Sequence, residues 1–331
     1  MVMADDQLEA LRRHGFGVAY RMLGSVSEAE DVAQEALLRL TRQEQTIDEP
    51  AAWITTVATR LSINVLTSAR VRREAYVGPW LPEPLLEDPA PDPASQAEVA
   101  DSLSLALLVL LERLNPVERA AYLLREVFGY DYDQIAAIID RSPVNARQLV
   151  TRARKRIEAS RPRFDADEAA RDALLQRFLA AAEEGDMDAL ERMLAHDAVL
   201  YADGGGKAQA VPEPLVGATA IARFMAAVAH ATAGEVEHQW VRVNGQPGLV
   251  MRGPAEAPAG EAERAAAERT HALLHAGDVD AQRLGELMKQ ARSGRQRVDE
   301  VRVISVITVD VVDGRIQAVR IVRNPDKLAH L

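Results

Sequence analysis

The spacing of apolar residues divides the chain into a helical first half and a mixed second half. In the first half, apolar positions recur at helical spacing in a run from Gln7 to Met22, a run that begins near Glu28 and a run that begins at Pro50. In the second half, two helical runs broken at Gly185-Asp186 precede strand-like segments. The last of these segments are two branched runs joined at Asp313-Gly314, a dipeptide typical of a hairpin turn. We therefore predict all-α modules followed by an α+β domain.

The clearest local pattern lies between Asp131 and Arg163 and predicts a helix-turn-helix. A short apolar-faced helix leads to a turn at residues 140–142, and Pro143 takes the first position of a second helix, where its missing N–H costs nothing. Ser142 is then the natural N-cap. In the second helix, the spacing of five apolar residues places most of them on one side: Val144, Leu149, Val150, Ala153 and Ile157.

The other side of this second helix is polar and basic. Arg, Asn and Gln side chains form bidentate pairs with base edges, and the remaining cations suit phosphates. The predicted DNA-contacting residues of this module are Arg141, Ser142, Asn145, Arg147, Gln148, Thr151, Arg152, Arg154 and Lys155. Without the preceding helix and turn, a solvated basic helix that closes a bundle would be the simpler interpretation.

Two helices of the N-terminal part carry further candidate contact surfaces. The helix that begins near Glu28 directs Val32, Ala36 and Leu40 to one face, and its acidic and apolar second face comprises Asp31, Gln34, Glu35 and Leu38. That face is either solvated surface or a protein-binding surface. In the helix that begins at Pro50, an aromatic and Thr/Asn-rich segment is followed by arginines, which suits single-stranded DNA. The residues of this second surface are Trp53, Arg60, Asn64, Arg70, Arg72 and Arg73, although Trp53 is most simply a core residue.

Composition limits the classes of protein that fit. The chain has 331 residues, of which 48% are hydrophobic, enough for two or three domains with real cores. It has no cysteine, and its seven histidines show no metal-ligand spacing, so no disulfide, metal site or cofactor is predicted. The sequence contains neither a leader pattern nor an apolar run of about eighteen residues, so we expect a cytoplasmic protein.

The net charge of −11 is unfavourable for DNA binding, but the charges are unevenly distributed along the chain. Residues 141–163 carry eight Lys and Arg against one acid, Glu158, so the acidic excess lies elsewhere. A locally basic module on an acidic chain is expected to bind DNA weakly by itself. This distribution favours either a partner that delivers the chain to DNA or masking of the basic module within the chain.

A proline-rich segment, VGPWLPEPLLEDPAPDP, separates the two helical modules at residues 77–93. Its prolines exclude a helix and favour extended or turn conformations. A plain acidic spacer would not need Trp80, Leu81, Leu85 and Leu86, so we expect this linker to dock on another part of the chain. The second module then opens at about residue 95 with a long helix that reaches residue 114.

Four segments resemble successive conserved regions of bacterial sigma factors of the extracytoplasmic-function class: SEAEDVAQEALLRL, AAWITTVATRLSINVL, LNPVERAAYLLREVFGYDYDQIA and SPVNARQLVTRARKRI. GPWLPEPL, DGGGK at 203–207 and NPDKL at 324–328 resemble the subgroup with a fused C-terminal SnoaL-like domain, an α+β cone-shaped barrel. The resemblance implies a sigma region two at 1–76, a linker with a WLPEP motif at 77–95, a sigma region four at 96–163 and a SnoaL-like regulatory domain at 164–331.

The same resemblance implies a role for each part. The helix at 28–41 docks on the clamp helices of the RNA polymerase β′ subunit, the helix at 53–73 melts and reads the minus-ten element, and the helix at 143–158 reads the minus-thirty-five element. The expected function is promoter-specific initiation, modulated in cis by the C-terminal domain. The expected interdomain regulatory residues are Trp80, Leu81, Pro82, Glu83, Pro84, Asp203, Gly204, Gly205, Gly206, Lys207, Asn324, Pro325, Asp326, Lys327 and Leu328.

Two other functions stay open on the sequence alone. A stand-alone helix-turn-helix regulator would bind duplex DNA without polymerase, usually as a dimer, but no dimerisation helix is evident. A SnoaL-like small-molecule enzyme would need acid–base groups, for which Asp203, His196, His230 and His238 are the candidates. We expect regulation rather than catalysis, because DGGGK lacks the context of a phosphate-binding loop. An unknown small ligand in an apolar pocket would act by binding two conformations unequally.

One segment departs from the subgroup pattern. Residues 253–299 form an insert rich in Ala, Glu and Arg, with one helix expected at 260–275 and another at 278–293. We expect an added surface hairpin.

Overall fold

The computed structural model describes residues 4–74, 76–86, 104–159, 168–256, 260–277, 279–293 and 297–331. The chain divides into two units, Met1–Ala75 with Asp101–Arg161 and Tyr76–Ala100 with Pro162–Leu331. The first unit contains both helical modules. The second unit joins the linker to the C-terminal domain.

Helices α1 (Asp5–Leu23), α2 (Val26–Thr41) and α3 (Pro50–Glu74) form the N-terminal module. The Ser25 hydroxyl accepts a hydrogen bond from the Glu28 N–H and caps α2. Because Ser25 is the N-cap, α2 begins at Val26, two residues before the predicted start near Glu28. The three residues predicted for its inner face are buried, and the cluster between the helices contains Leu11, Ala36, Leu40 and Ile54.

A partly buried histidine links α1 to α3. His14 shares a hydrogen bond of 2.8 Å with the Thr55 hydroxyl. Burial, assisted by the Arg21 charge, lowers the pKa of His14. Folding therefore favours the neutral imidazole, and the stability that it contributes is present above the ordinary histidine pKa and is lost as the pH falls below it.

We expect the urea midpoint of the first unit to fall when the pH is lowered from about 7 to about 5. In the His14→Gln variant, which keeps a polar side chain but does not titrate, we expect a smaller fall. Urea titrations followed by circular dichroism at both pH values measure the difference. Equal falls in the two proteins would contradict this role of His14.

Helices α4 (Leu105–Leu111), α5 (Pro116–Glu126), α6 (Tyr132–Ile139) and α7 (Pro143–Glu158) form the second module. Both α5 and α6 begin with a capping box. Asn115 and Glu118 form that of α5, and Asp131 and Gln134 form that of α6. Helix α4 ends at Leu111, before the predicted end at residue 114, and α5 begins at Pro116. Of the predicted long helix, residues 95–103 lie outside the described residues.

A six-stranded sheet organises the described part of the C-terminal domain. Its strands are β1 (Leu194–Asp203), β2 (Leu215–Val216), β3 (Glu237–Val243), β4 (Gln246–Glu256), β5 (Arg297–Val312) and β6 (Arg315–Val322). The order is β2-β1-β6-β5-β4-β3, in which β1 and β6 are parallel and the other neighbours antiparallel. Asp313 and Gly314, both with positive φ, form the predicted hairpin turn.

Helices α8 (Glu168–Glu184), α9 (Met187–Met193) and α10 (Ala218–Thr232) pack against this sheet. The core joins Phe178 and Ile221 from the helices to Leu200, Ile307 and Val319 from the strands. The prediction of all-α modules followed by an α+β domain is confirmed. A last short helix, α13 (Pro325–Leu328), follows β6.

The insert forms α11 (Glu261–Ala276) and α12 (Ala281–Ser293). The expectation of an added surface hairpin is wrong, because Leu274, Leu284 and Met288 are buried in the domain core. At Gly285 a Cβ would lie 3.0 Å from the Ala227 carbonyl oxygen, so a small residue allows α12 to approach α10 closely. The insert is therefore an integral layer of the domain.

Candidate nucleic-acid interface and linker site

The second helix of the helix-turn-helix is built as its local sequence predicts. Asp140 ends α6 in the left-handed conformation, φ 53°, and the Ser142 hydroxyl accepts a hydrogen bond from the Asn145 N–H. The buried side of α7 comprises Ala146, Leu149, Val150, Ala153 and Ile157. Of the residues predicted to contact DNA, Asn145 is half-buried and the others are exposed: Arg141, Ser142, Arg147, Gln148, Thr151, Arg152, Arg154 and Lys155.

Val144 does not lie on the buried side of α7, unlike the other four apolar residues named from the sequence. It is 69% exposed, whereas Ala146 is fully buried. At about 100° per residue, position 144 lies about 200° from position 146 around the helix, so the two cannot share a face. The apolar side of α7 therefore begins at Ala146, and a branched apolar side chain stands at the solvent-exposed start of the helix.

Several basic residues of α7 have partners on neighbouring helices. Arg154 pairs with Glu126 at 2.6 Å, and the Arg147 guanidinium lies 4.9 Å from the centre of the Tyr132 ring. Arg156 pairs with Glu118 at 2.6 Å. Because Arg154 and Glu126 both reach solvent, their ion pair is worth about 0.2–1 kcal/mol, whereas Glu118 is buried, with 4% of its side chain exposed. The weak Arg154–Glu126 contact orients the guanidinium group and leaves it able to exchange its acidic partner for phosphate.

The α2 face predicted to bind polymerase is open in the first unit. Asp31 and Gln34 are exposed, and Leu38 is 41% exposed. Glu35 pairs with Arg39 at 2.7 Å, an i,i+4 contact that adds little stability. An exposed leucine between acidic residues is chemistry suited to a protein partner.

The α3 face predicted to bind DNA is engaged within the unit. Arg60 donates from Nε to the Ile138 carbonyl and from Nη2 to the Ala137 carbonyl, each at 2.9 Å. These carbonyls lie at the C-terminal end of α6, where a cation is favourable. Trp53 is half-buried against the N-terminal core cluster, and Asn64 is exposed. The side chains of the remaining predicted residues, Arg70, Arg72 and Arg73, lie outside the described residues.

A second arginine fastens the two helical modules together. The side chain of Arg119, on α5, is 4% exposed and donates from Nη1 to the Met22 carbonyl at 2.7 Å. The same nitrogen lies 2.7 Å from Glu112 Oε1. Met22 is in the last turn of α1, where carbonyls lack partners within the helix. The two modules are thus joined by charge-assisted contacts at two helix ends.

The parallel pairing of β1 and β6 explains why two distant motifs meet. DGGGK begins at the end of β1 and NPDKL just after β6, and Asp203 is in register with Val322. Parallel neighbours end at the same edge of a sheet, so both motifs lie at that edge. The Asp203 carbonyl accepts hydrogen bonds from the Arg323 and Asn324 N–H groups at 2.7 and 2.8 Å.

Asp203 is the centre of the linker site. Its carboxylate is fully buried and accepts hydrogen bonds from the Tyr76 hydroxyl at 2.6 Å, the Leu81 N–H at 2.8 Å and Lys327 Nζ at 2.7 Å. Lys327 Nζ also donates to the Leu81 carbonyl. Three segments of the chain therefore share one buried ion pair. The structure brings WLPEP, DGGGK and NPDKL together.

Aromatic rings complete this site. Lys327 Nζ lies 4.2 Å from the centre of the Trp80 ring and 4.8 Å from that of Tyr76, both within cation–π range. Burial, followed by the Asp203 charge, raises the pKa of Tyr76 well above its usual range. The phenol therefore stays protonated and continues to donate to the carboxylate.

Glycines let the motifs approach one another. Gly205 and Gly206 both have positive φ, and a Cβ at Gly205 would lie 2.2 Å from Asn324 Nδ2. Asn324 Nδ2 itself donates to the Tyr76 hydroxyl at 2.8 Å. The Lys207–Asp326 ion pair closes the outer side of the loop and is exposed. DGGGK is thus a glycine turn shaped to fit NPDKL.

The linker has a second attachment that the sequence reasoning missed. Leu85 and Asn244 exchange two hydrogen bonds, from Leu85 N–H to Asn244 Oδ1 at 3.0 Å and from Asn244 N–H to the Leu85 carbonyl at 2.8 Å. His330 Nε2 lies 2.8 Å from the Pro84 carbonyl. Asn244-Gly245 is itself a hairpin dipeptide with positive φ at both residues, a signal that marks the turn but not its partner.

Comparison with known proteins agrees with both helical modules. Residues 8–72 match the family model for Sigma-70 region 2, and residues 104–157 match that for Sigma-70, region 4. The ECF RNA polymerase sigma factor SigJ of Mycobacterium tuberculosis is 38% identical over 225 residues, which cover 67% of this chain and 72% of SigJ. The chain belongs to the extracytoplasmic-function sigma factors.

Other relatives support this family assignment. The probable ECF sigma factor SigI of Mycobacterium tuberculosis is 36% identical over 188 residues, covering 56% of this chain and 64% of SigI. The crystal structure of Mycobacterium tuberculosis SigJ aligns with a TM-score of 0.68 and 29% identity over 98% of both chains. This sigma factor therefore shares its C-terminal α+β domain, as well as its sigma regions, with a solved relative.

The four candidate acid–base groups of this sigma factor are not gathered in one site, although two of them line the same cavity. Asp203 is committed to the linker, and His196 is exposed on β1. His230 and His238 line a cavity of about 410 Å³ between the helices and the sheet, where His238 lies 2.9 Å from Glu183. A smaller adjoining cavity of about 50 Å³ is lined partly by the insert. In the described part of the chain, no helix is long and apolar enough to cross a membrane, and no cluster of three metal-ligating side chains occurs.

Proposed function

We propose that this sigma factor recruits RNA polymerase core to specific promoters and that its C-terminal domain modulates initiation by holding the linker. The exposed α2 face docks on the β′ clamp helices of polymerase. The α3 face reads the minus-ten element, and α7 reads the minus-thirty-five element. The single observation that carries the regulatory part is the buried Asp203–Lys327 pair, which binds the linker backbone at Leu81.

The spacing of the two promoter elements supports a change of conformation. Positions minus ten and minus thirty-five are about 25 base pairs apart, which is about 85 Å of B-DNA. In the first unit the two DNA-reading modules contact each other through Arg60 and Arg119. Modules in contact cannot read elements so far apart. The packed arrangement is therefore a resting state that opens on the promoter.

The docked linker limits how far the modules separate. Residues 87–103 number seventeen and reach at most about 60 Å from Leu86 when fully extended. The whole segment 75–103, released from the C-terminal domain, reaches about 100 Å. With residues 76–86 bound to the C-terminal domain, only residues 87–103 connect the docked segment to the second module, and release adds residues 75–86 to that connection. We infer that docking of the linker at Asp203 lowers the rate of transcription initiation.

Run-off transcription with purified core polymerase on a genomic promoter library tests this proposal. We expect the full chain to initiate at a small set of promoters, and a chain that ends at Arg163 to use the same promoters at a several-fold higher rate. Because the α2 face is exposed within the first unit, which both chains contain, both chains should bind core polymerase with similar affinity.

Two outcomes would overturn parts of the proposal. Equal rates from the two chains would remove the regulatory part while leaving the sigma function. If neither chain initiates but the full chain shifts duplex DNA without polymerase, the protein is a stand-alone regulator instead.

A further inference from the structure

Val144 is an exposed apolar residue on the helix that the proposed function places at the minus-thirty-five element. Its exposed fraction, 69%, is higher than that of the other large hydrophobic residues exposed in the described chain. Isolated exposed apolar residues are common on protein surfaces, so exposure alone decides nothing. The position of Val144 in the helix and the chemistry of its neighbours give it meaning.

Val144 is the second residue of α7, directly after Pro143. In a helix-turn-helix, the first residues of the second helix contact base edges in the major groove. A β-branched residue that gains nothing from burial is a poor choice for a helix, where alanine is more favourable by several tenths of a kcal/mol. Local stability therefore does not account for valine at this position.

The surroundings of Val144 are polar. Exposed or half-exposed hydrogen-bonding side chains flank it in sequence: Arg141, Ser142, Asn145, Arg147 and Gln148. These groups read donors and acceptors on base edges. The thymine C5-methyl group, which also faces the major groove, offers no hydrogen bond and is recognised by apolar contact. Val144, with the exposed Pro143 beside it, supplies apolar surface among these polar side chains.

We propose that the Val144 side chain contacts a thymine methyl group in the minus-thirty-five element and so determines the base at that position. This inference rests on the proposed promoter recognition by α7. It requires a thymine within the element, on either strand. Burial of one methyl group corresponds to a three- to fivefold change in affinity, or about 0.8 kcal/mol.

The test removes the methyl group from the DNA and the side chain from the protein in turn. Promoters are selected from a randomised library by run-off transcription with the full chain and core polymerase. Each thymine of the selected element is then replaced singly by deoxyuridine, which lacks only the methyl group. Competition between the modified and unmodified promoters gives the relative affinity.

For the unaltered protein, we expect one deoxyuridine replacement to lower promoter affinity about three- to fivefold. The Val144→Ala variant should bind the thymine promoter about three- to fivefold more weakly than the unaltered protein does. Replacing the thymine by deoxyuridine should not lower the affinity of this variant further. Val144→Thr, which keeps one methyl group, should bind the thymine promoter with an affinity between those of the unaltered protein and Val144→Ala. Val216→Ala, at a valine that is 56% exposed on β2, is the matched control and should behave like the unaltered protein.

Three results would overturn the contact. Deoxyuridine effects of equal size in the unaltered protein and Val144→Ala would show that the lost methyl group does not face Val144. A selected element without thymine on either strand would exclude the contact outright. Failure of the unaltered protein to initiate at any library member would instead overturn the proposed function, on which the contact depends.

Discussion

Replacing Asp203 by asparagine lowers the free energy of unfolding of the C-terminal unit by about 3–5 kcal/mol, the typical cost of removing one partner of a buried ion pair. Asparagine has nearly the same shape, but its NH₂ group must face at least one of three donors: the Tyr76 hydroxyl, the Leu81 N–H or Lys327 Nζ. The buried Lys327 charge then loses the Asp203 carboxylate as its counter-charge. Urea titration measures the loss, and hydrogen exchange at Leu81 and Leu85 reports release of the linker.

The same variant should raise the rate of run-off transcription several-fold toward that of the chain that ends at Arg163. Lys207→Ala is the control, since Lys207 forms an exposed ion pair with Asp326, and its loss should cost less than about 1 kcal/mol. If Asp203→Asn and Lys207→Ala show the same hydrogen exchange at Leu81 and Leu85 and the same rate of run-off transcription, the buried pair does not hold the linker.

Replacing Arg119 by leucine separates the two helical modules. The substitution leaves the Met22 carbonyl and Glu112 without the guanidinium that joins them, and we expect a loss of about 3–5 kcal/mol in the stability of the packed arrangement. The chain has no cysteine, so single cysteines introduced at exposed Glu30 and Glu158 can carry a fluorescence donor and acceptor. Energy transfer between them should fall in Arg119→Leu.

Arg12→Ala provides the matched control for Arg119→Leu. Arg12 forms an exposed i,i+3 ion pair with Glu9 in the same unit, so energy transfer should not change in this variant. The rate of run-off transcription should be higher with Arg119→Leu than with the unaltered protein, because the contact between the modules no longer has to be broken. A fall in energy transfer without any rise in transcription would show that opening is not what limits initiation.

Local signals predicted the helix-turn-helix well because its geometry is set by nearby residues. Ser142 and Pro143 fix the start of α7, and each acts within a few positions of its own place in the chain. Most of the five apolar residues named from the sequence lie on the buried side, and Val144 is the exception. Ala146, which was not named, continues the helical spacing of the buried residues. Alanine is easily overlooked as a core residue, yet Ala146 is fully buried.

The linker site was predictable only in part. Apolar residues among prolines indicated that the linker docks, but its receptor depends on β1 pairing with β6, strands separated by more than a hundred residues. The role of Tyr76 likewise needs a buried carboxylate that the sequence does not locate. Arg60 illustrates the same limit, because its partners are backbone carbonyls of α6, which have no sequence signature.

The parallel pairing of β1 and β6 also sets the order of events during synthesis. Asp203 leaves the ribosome long before Lys327, so the linker receptor is incomplete until β6 has been made and has docked beside β1. Closing such a distant contact is slow compared with forming a helical bundle. The restraint proposed for the two DNA-reading modules is therefore absent until Lys327 has been made, and a product that ends between residues 163 and 327 keeps both modules but lacks the complete linker receptor.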